Sequence, residues 1–346
     1  MNSPVGIAVL GCGYWGPNLV RNFLALPEAR LVRVCDLRTE RLTHLANLYP
    51  TLEMGSDYRE VMDDPRVDAV AIATPLKTHF ELASEALRAK KHVLVEKPLA
   101  GSTREAEALI ALAAESHRIL MVGHTFEFSS PVTRLKEFIS AGELGRVFYI
   151  SMQRLNLGLF QPDINVVWDL APHDISILNY LLWQEPAAVG AHGSANYEAG
   201  REDIAFIVMR YPGGVTAHIH LSWLDPCKVR RTTVVGDKRM AVYDDLNTLQ
   251  PLMIFDKGVS KQPYYDTFGE FKLMYNAGDI HSPKIDLVEP LKVECAHFVD
   301  CVRNGRRPRT DGASGLRVVR VLEAAEASMK ANGQEVPLGE LAHRGC

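Results

Sequence analysis

Gly11-Cys12-Gly13-Tyr14-Trp15-Gly16 stands directly after a short apolar run at 7–10 and opens a helical pattern with Pro17 in its first turn. A chain that passes from strand to helix through three glycines so spaced has few folds open to it. The first glycine permits a tight turn, the second lets backbone approach a pyrophosphate, and the third lets the helix pack closely. The helix start adds unpaired N–H groups and partial positive charge. A structural turn would use the same residue type, so the second half of the pattern decides. Asp36 lies twenty residues beyond Gly16, at the end of the next apolar run, where a carboxylate accepts hydrogen bonds from an adenosine ribose. The two halves together point to a dinucleotide. The charge of Asp36 opposes the 2′-phosphate of NADP, so NAD is the expected cofactor, a preference softened by Arg38 and Arg41 close by.

The alternation around this motif predicts the fold class. Short β-branched runs at 7–10, 31–35, 69–73, 92–95 and 119–122 alternate with helical patterns, as in a parallel sheet covered by helices. Thr78 with Glu81, and Ser102 with Glu105, have the spacing of a capping box. After a helix at 131–140 the rhythm changes. Runs at 147–152, 187–194, 204–210, 215–222, 229–235, 240–243 and 249–255 read as strands, joined by turns such as Pro212-Gly213-Gly214 and Gly236-Asp237. Helices are expected at 169–182, 290–304 and 314–332.

The expectation is therefore α/β: a Rossmann doubly wound parallel sheet over 1–124, then an α+β domain over 125–346 with a large, mostly antiparallel open sheet. The last helices have room to pack back on the first domain. One uncovered sheet face predicts a homo-dimer or homo-tetramer joined through it. The stretch 257–289 is long, polar and aromatic-rich, has no assigned structure, and is of a kind more often functional than idle.

Composition narrows the partners. A net charge of −4 carries no basic excess for nucleic acid or an anionic membrane. The six cysteines, at 12, 35, 227, 295, 301 and 346, lack the spacings of a zinc site or a disulfide framework. No metal is expected, and free thiols suit the cytoplasm. The first apolar run is too short for a signal h-region or a membrane span.

Further motifs add chemistry to the dinucleotide fold. Glu96-Lys97-Pro98 ends the fourth of these strands, at the carboxyl edge where ligands bind in open α/β sheets. Ala73-Thr74-Pro75 ends the third, with His79 four residues on, and Asp169 and His173 form a D-x-x-x-H element. Together with the glycine loop, these motifs resemble the Gfo/Idh/MocA family, named for glucose-fructose oxidoreductase and inositol dehydrogenase, from the first strand to the last helices. The resemblance implies an open-sheet second domain that commonly oligomerises, and a cis peptide before Pro98. It also implies that Lys97 lies between nicotinamide and substrate, with His173 as acid/base and Asp169 as its aspartate.

The physics of these residues is compatible with the same roles. Removing hydride from a secondary alcohol requires that the hydroxyl proton leave too, so a base of near-neutral pKa must reach that oxygen. His173 suits that task, Asp169 at i−4 shares its helix face, and Lys97 can stabilise negative charge on the alcohol oxygen. The bland alternative makes Asp169 a helix cap with Pro172 in the first turn, His173 a core histidine beside Leu170 and Ile177, and Lys97 a solvated turn residue. The motifs taken together favour the catalytic reading.

The expected cofactor residues are then Gly11, Gly13, Tyr14, Trp15, Gly16, Asp36, Thr74, Pro75, His79, Glu96 and Lys97. Trp15 either packs beneath the cofactor loop or anchors the first helix. Candidate substrate contacts are His124 at a strand end, Arg154, Asn156, and Trp168 as an aromatic wall. Arg154, or Arg230 with Arg231, is available for a phosphate. Phe128 stands where many family members carry an arginine, so their substrate contacts do not transfer. Residues 11–18 and 166–175 resemble a branch associated with sugar and nucleotide-sugar metabolism. The resulting expectation is hydride transfer between a ring secondary alcohol of a carbohydrate and NAD, with an inositol as rival substrate. An NAD-binding regulator or scaffold without turnover is the alternative of another class, and a redox-neutral cycle with NAD tightly held is a third.

Overall fold

Val5–Leu10 is buried along its whole length, the signature of a strand covered on both faces. In the computed structural model, which describes residues 3–158, 160–256 and 278–339, it is the central strand β1 of a parallel sheet. The others are β2 (Ala29–Cys35), β3 (Glu53–Gly55), β4 (Ala69–Ile72), β5 (His92–Glu96) and β6 (Leu120–Gly123). Their order, β3-β2-β1-β4-β5-β6, is that of a doubly wound dinucleotide fold, with its switch point between β1 and β4. Every pair is parallel. Ile7, Val9, Leu19, Val20 and Phe23 from β1 and the first helix share one core with Leu291, Cys295 and Phe298 of helix Pro290–Asn304.

The described residues divide into two compact units: 1–128 with 288–320, and 129–287 with 321–346. The first unit is thus discontinuous, and takes in residues 125–128 beyond the expected limit at 124. Thr125 Oγ1 donates to Glu294 Oε2 at 2.9 Å, and the Arg309 guanidinium lies 4.8 Å from the centre of the Phe128 ring, which ties this stretch to the returning chain. The division falls inside helix Gly312–Lys330.

Among the described residues the second unit holds a nine-stranded sheet: β7 (Val147–Leu157), β8 (Ala188–Ser194), β9 (Ile204–Arg210), β10 (Thr216–Ser222), β11 (Leu224–Gly236), β12 (Met240–Asp244), β13 (Leu252–Phe255), β14 (Ile280–His281) and β15 (Val336–Pro337). All neighbours are antiparallel except β7 and β10. Helix Val166–Leu182 packs on β7, β9 and β10. Burial along β9 alternates strictly, with Ala205, Ile207 and Met209 covered, while Phe206 and Val208 remain 51% and 45% exposed.

Two expected boundaries move for local reasons. The strand expected at 249–255 begins at Leu252, because Asn247 Oδ1 accepts from Leu249 N and Gln250 N and closes a turn. The helix expected from 169 begins at Val166, because Asn165 is its cap and accepts from Val167 N and Trp168 N at 3.1 and 3.2 Å. The unassigned stretch 257–289 lies outside the described residues over 257–277, as does Cys346; within 278–289, β14 pairs with β13.

Candidate active site

The glycine loop has the geometry its spacing predicts. Gly11 has φ +91°, and a Cβ there would fall 2.5 Å from Ala73 O and 2.9 Å from Thr74 Cγ2. A Cβ at Gly16 would lie 2.0 Å from Gly11 O, so the first helix, Gly16–Leu24, comes as close to the loop as backbone allows. At Gly13 the nearest atom is the Arg41 guanidinium, 3.5 Å away. Trp15 caps the helix without a side-chain hydrogen bond, packs on the core and stacks on Tyr14, which is 87% exposed. Of the two readings of Trp15, the anchor is the one its packing supports.

Asp36, 7% exposed at the end of β2, is drawn toward this loop. Its Oδ2 accepts from Cys12 N at 2.6 Å, its Oδ1 from Arg38 N at 2.8 Å, and Arg41 Nη1 stands 3.4 Å from Oδ2. A backbone cradle open at Gly13, a helix start without a side-chain cap, and a carboxylate at the neighbouring strand end fit a dinucleotide. The structure brings Gly11, Gly13, Gly16, Asp36 and Thr74 to one edge of the sheet.

His79 is 1% exposed, with its two ring nitrogens 2.8 Å from Pro98 O and 2.9 Å from Thr74 O. Both ring nitrogens of this expected cofactor-proximal histidine are engaged by backbone carbonyls. Thr78 is not a capping box with Glu81. It is αR rather than extended, and its hydroxyl lies 2.7 Å from Pro75 O and 2.8 Å from Thr74 Oγ1. Ser102 does cap its helix, accepting from Glu105 N at 3.2 Å.

Lys97, partly buried at the end of β5, precedes Pro98 through a cis peptide. Near it are three carboxyl groups that burial shifts toward the uncharged form. The Glu96 carboxyl lies against the Gly123 backbone, and burial lifts it to about 7. Glu294 is wholly buried and raised well above the ordinary carboxyl range by burial and by Glu96; Glu127 is raised to about 8 by burial.

His124 is 0% exposed and is lowered to about 3 by burial, with Arg317 and Lys97 adding to the effect. The backbone turns back through His124 N to Val122 O and Glu127 N to His124 O, which carries the ring inside and removes it from the expected substrate contacts. Sequence reading missed Glu127 and Glu294. The second was legible: Leu291, Glu294 and Phe298 are spaced i, i+3, i+7 on a buried helix stripe.

In the second unit, Asp169 lies in the first turn of helix Val166–Leu182 and accepts from Trp223 Nε1 at 3.0 Å. Asn165 holds the cap, so the cap reading of Asp169 is set aside. Pro172 is in the second turn, not the first, and offers no N–H to Trp168 O. Asp169 and His173 are four apart on one helix face.

The other expected substrate contacts are engaged in the unit's own structure. Arg154 is 4% exposed, and its Nε and Nη2 donate to the two oxygens of Asp174 at 2.9 and 2.8 Å. That removes it as a phosphate ligand. Arg230 and Arg231 pair with Asp245 and Asp244 at 3.2 and 3.1 Å. Trp168 is 7% exposed with its Nε1 bonded to Glu326 at 2.8 Å, so it forms no open wall, while Asn156 remains partly exposed near the end of β7. Among the described residues no group of three or more His, Cys, Asp or Glu is placed to hold a metal ion, and no helix is long and apolar enough to cross a membrane.

Residues 5–124 match the NAD-binding Rossmann fold of the Gfo/Idh/MocA oxidoreductases, and residues 132–242 match that family's C-terminal domain. The chain belongs to the Gfo/Idh/MocA oxidoreductase family. Among similar members, scyllo-inositol 2-dehydrogenase (NAD+) of Bacillus subtilis is 28% identical over 98% of this chain and 97% of its own. UDP-N-acetylglucosamine 3-dehydrogenase of Acidithiobacillus ferrooxidans is 29% identical over 90% of this chain and 93% of its own. A crystal structure from Magnetospirillum magnetotacticum is 31% identical over 93% of this chain and 99% of its own, with a TM-score of 0.79. As a Gfo/Idh/MocA protein the chain is an NAD-binding oxidoreductase.

Proposed function

We propose that this protein transfers hydride between NAD and a ring secondary alcohol of a sugar or cyclitol, with Lys97 and His173 handling the proton. The observation that carries the reading is the position of Lys97. It directly follows β5 at the carboxyl edge of a sheet whose glycine loop and Asp36 fit the cofactor. NAD supplies the hydride acceptor. Lys97 donates a hydrogen bond to the alcohol oxygen and stabilises its negative charge as the carbon–hydrogen bond breaks. His173 takes the hydroxyl proton and returns it in the reverse direction. Asp169, held by Trp223, supports the charged imidazole from the same helix face.

Two relatives lend support by name, one acting on an inositol and one on a nucleotide-linked amino-sugar. A free ring is favoured over a nucleotide-linked one because Arg154, Arg230 and Arg231 are each already paired with a carboxylate. The test is NADH formation, read by absorbance, across free sugars, inositols, sugar phosphates and UDP- or dTDP-linked hexoses, with the matching keto compounds assayed in reverse. Turnover confined to one class names the substrate. NADH binding with no turnover in either direction would leave a cofactor-binding regulator and sink the proposal.

Cofactor choice is assigned to Asp36. Asp36→Ala removes a carboxylate that would accept from the ribose, a loss of about 1.5–3 kcal/mol for hydrogen bonds to a charged acceptor. NAD should bind roughly tenfold or more weaker, with a relative gain for NADP. Calorimetric titration with both cofactors reads the ratio, and an unchanged ratio refutes the assignment.

The open face of the second sheet carries Tyr149, Phe206 and Val208, each 44–51% exposed. A homo-dimer or homo-tetramer through this face is the arrangement proposed. Sedimentation velocity should show an oligomer that Val208→Glu converts to monomers; a monomeric wild type overturns it.

A further inference from the structure

His79 opens helix His79–Arg88 and is 1% exposed, set between two strand ends. Its Nδ1 lies 2.8 Å from the carbonyl oxygen of Pro98, just past β5. Its Nε2 lies 2.9 Å from the carbonyl oxygen of Thr74, just past β4. Carbonyl oxygens only accept. A neutral imidazole has one N–H donor and one lone pair, so in either tautomer one contact would set a nitrogen lone pair against an oxygen lone pair. The doubly protonated ring has a donor at each nitrogen, and both contacts become charge-assisted hydrogen bonds. Burying that charge costs free energy, which the two carbonyl dipoles offset.

We propose that His79 is a cationic brace, a positioning residue whose two N–H groups tie the wall of the cofactor loop to the Lys97-Pro98 turn. Both ends of the brace matter to the site. Thr74 backs the glycine loop, with its Cγ2 2.9 Å from where a Cβ on Gly11 would be. Thr74 Oγ1 is also 2.8 Å from the Thr78 hydroxyl, so backbone and side chain are both held. Pro98 follows Lys97 directly, and fixing its carbonyl fixes the backbone that carries the lysine. One ring thereby sets the spacing between the cofactor cradle and Lys97. A glutamine cannot replace it, because both amide protons sit on a single nitrogen and do not reach opposite sides. The kinetic half of this inference rests on the role given to Lys97 above, and the charge on the ring does not.

The two halves are tested separately. Neutron diffraction from crystals of the wild-type protein, held about one unit above the free-imidazole value of about 6.5, locates the ring deuterons directly. Deuterons on both nitrogens support the brace; a single deuteron overturns it, whatever the kinetics. His79→Gln and His79→Asn are then compared with wild type. The expectation is a fall in kcat of about 10-fold to 100-fold from a misplaced Lys97, with NAD affinity within about threefold. A kcat equal to wild type in a folded variant overturns the positioning role. Lys97→Ala is run alongside. If it keeps full turnover, the reading of Lys97 fails, and the neutron result still decides the charge on His79.

Discussion

Lys97→Ala is expected to lower kcat by about 10³-fold while leaving the NAD dissociation constant within about twofold of wild type. The two quantities should separate because the proposed cofactor contacts lie elsewhere, at the backbone of Gly11, Gly13 and Gly16 and at Asp36. Glu96, the last residue of β5, lies against Gly123, and Lys97 follows it directly. In the proposed mechanism the lysine contributes a hydrogen bond and a charge that strengthen as the alcohol oxygen becomes negative, the kind of interaction that appears in kcat rather than in cofactor binding.

Lys97→Arg sharpens the test. It keeps the charge but replaces the compact ammonium with a broad planar guanidinium, and it should recover only part of the loss. Stopped-flow detection of NADH under single-turnover conditions, beside a fluorescence titration of NAD, reads both numbers. Turnover near wild type in Lys97→Ala would remove the lysine from the mechanism.

The parts of this site that sequence made legible are those where backbone geometry leaves little choice of residue. Gly11 must have a positive φ, Gly16 must let the helix approach Gly11 O, and Asp36 must end the neighbouring strand, so spacing alone located all three. Alternation of strand and helix located the parallel sheet for the same reason, since a strand buried on both faces admits little but apolar residues. Side-chain partners were less accessible. Ser102 and Thr78 share a motif spacing, yet only Ser102 has the extended backbone that aims its hydroxyl at an N–H. A helix cap stood as the alternative for Asp169, and nothing in the sequence revealed that Trp223, 54 positions away, would donate to its carboxylate.

The reading of His124 as a substrate contact failed because a strand end need not face the solvent. Here the chain turns back through a 3-10 turn, Thr125–Phe128, and takes the ring inside. Arg154 was legible after all. Ile150, Met152 and Arg154 alternate along β7, and the period of two that buries the first two buries the third.

That buried arginine supports the second prediction. Arg154 and Asp174 are 4% and 2% exposed and joined by two parallel hydrogen bonds at 2.9 and 2.8 Å, the bidentate fork geometry. Burial alone opposes the arginine's charge, and the attraction and hydrogen bonds of Asp174 outweigh it, so its pKa is held above the ordinary arginine value. Removing one partner leaves the other charged and dry. Asp174→Ala should therefore cost about 3–5 kcal/mol. Arg154→Met with Asp174→Leu should restore much of it, because a buried pair is worth little against well-packed apolar side chains.

Urea unfolding followed by circular dichroism measures the loss as a shift in the transition of the second unit. The same pair of variants separates the structural role from the phosphate-binding role considered for Arg154. A phosphate ligand would raise KM for a charged substrate in Arg154→Met and leave stability alone. A structural pair moves the unfolding transition, and the double variant then recovers stability with KM unchanged. Asp174→Ala unfolding at the wild-type urea concentration would show that the pair contributes nothing to the fold.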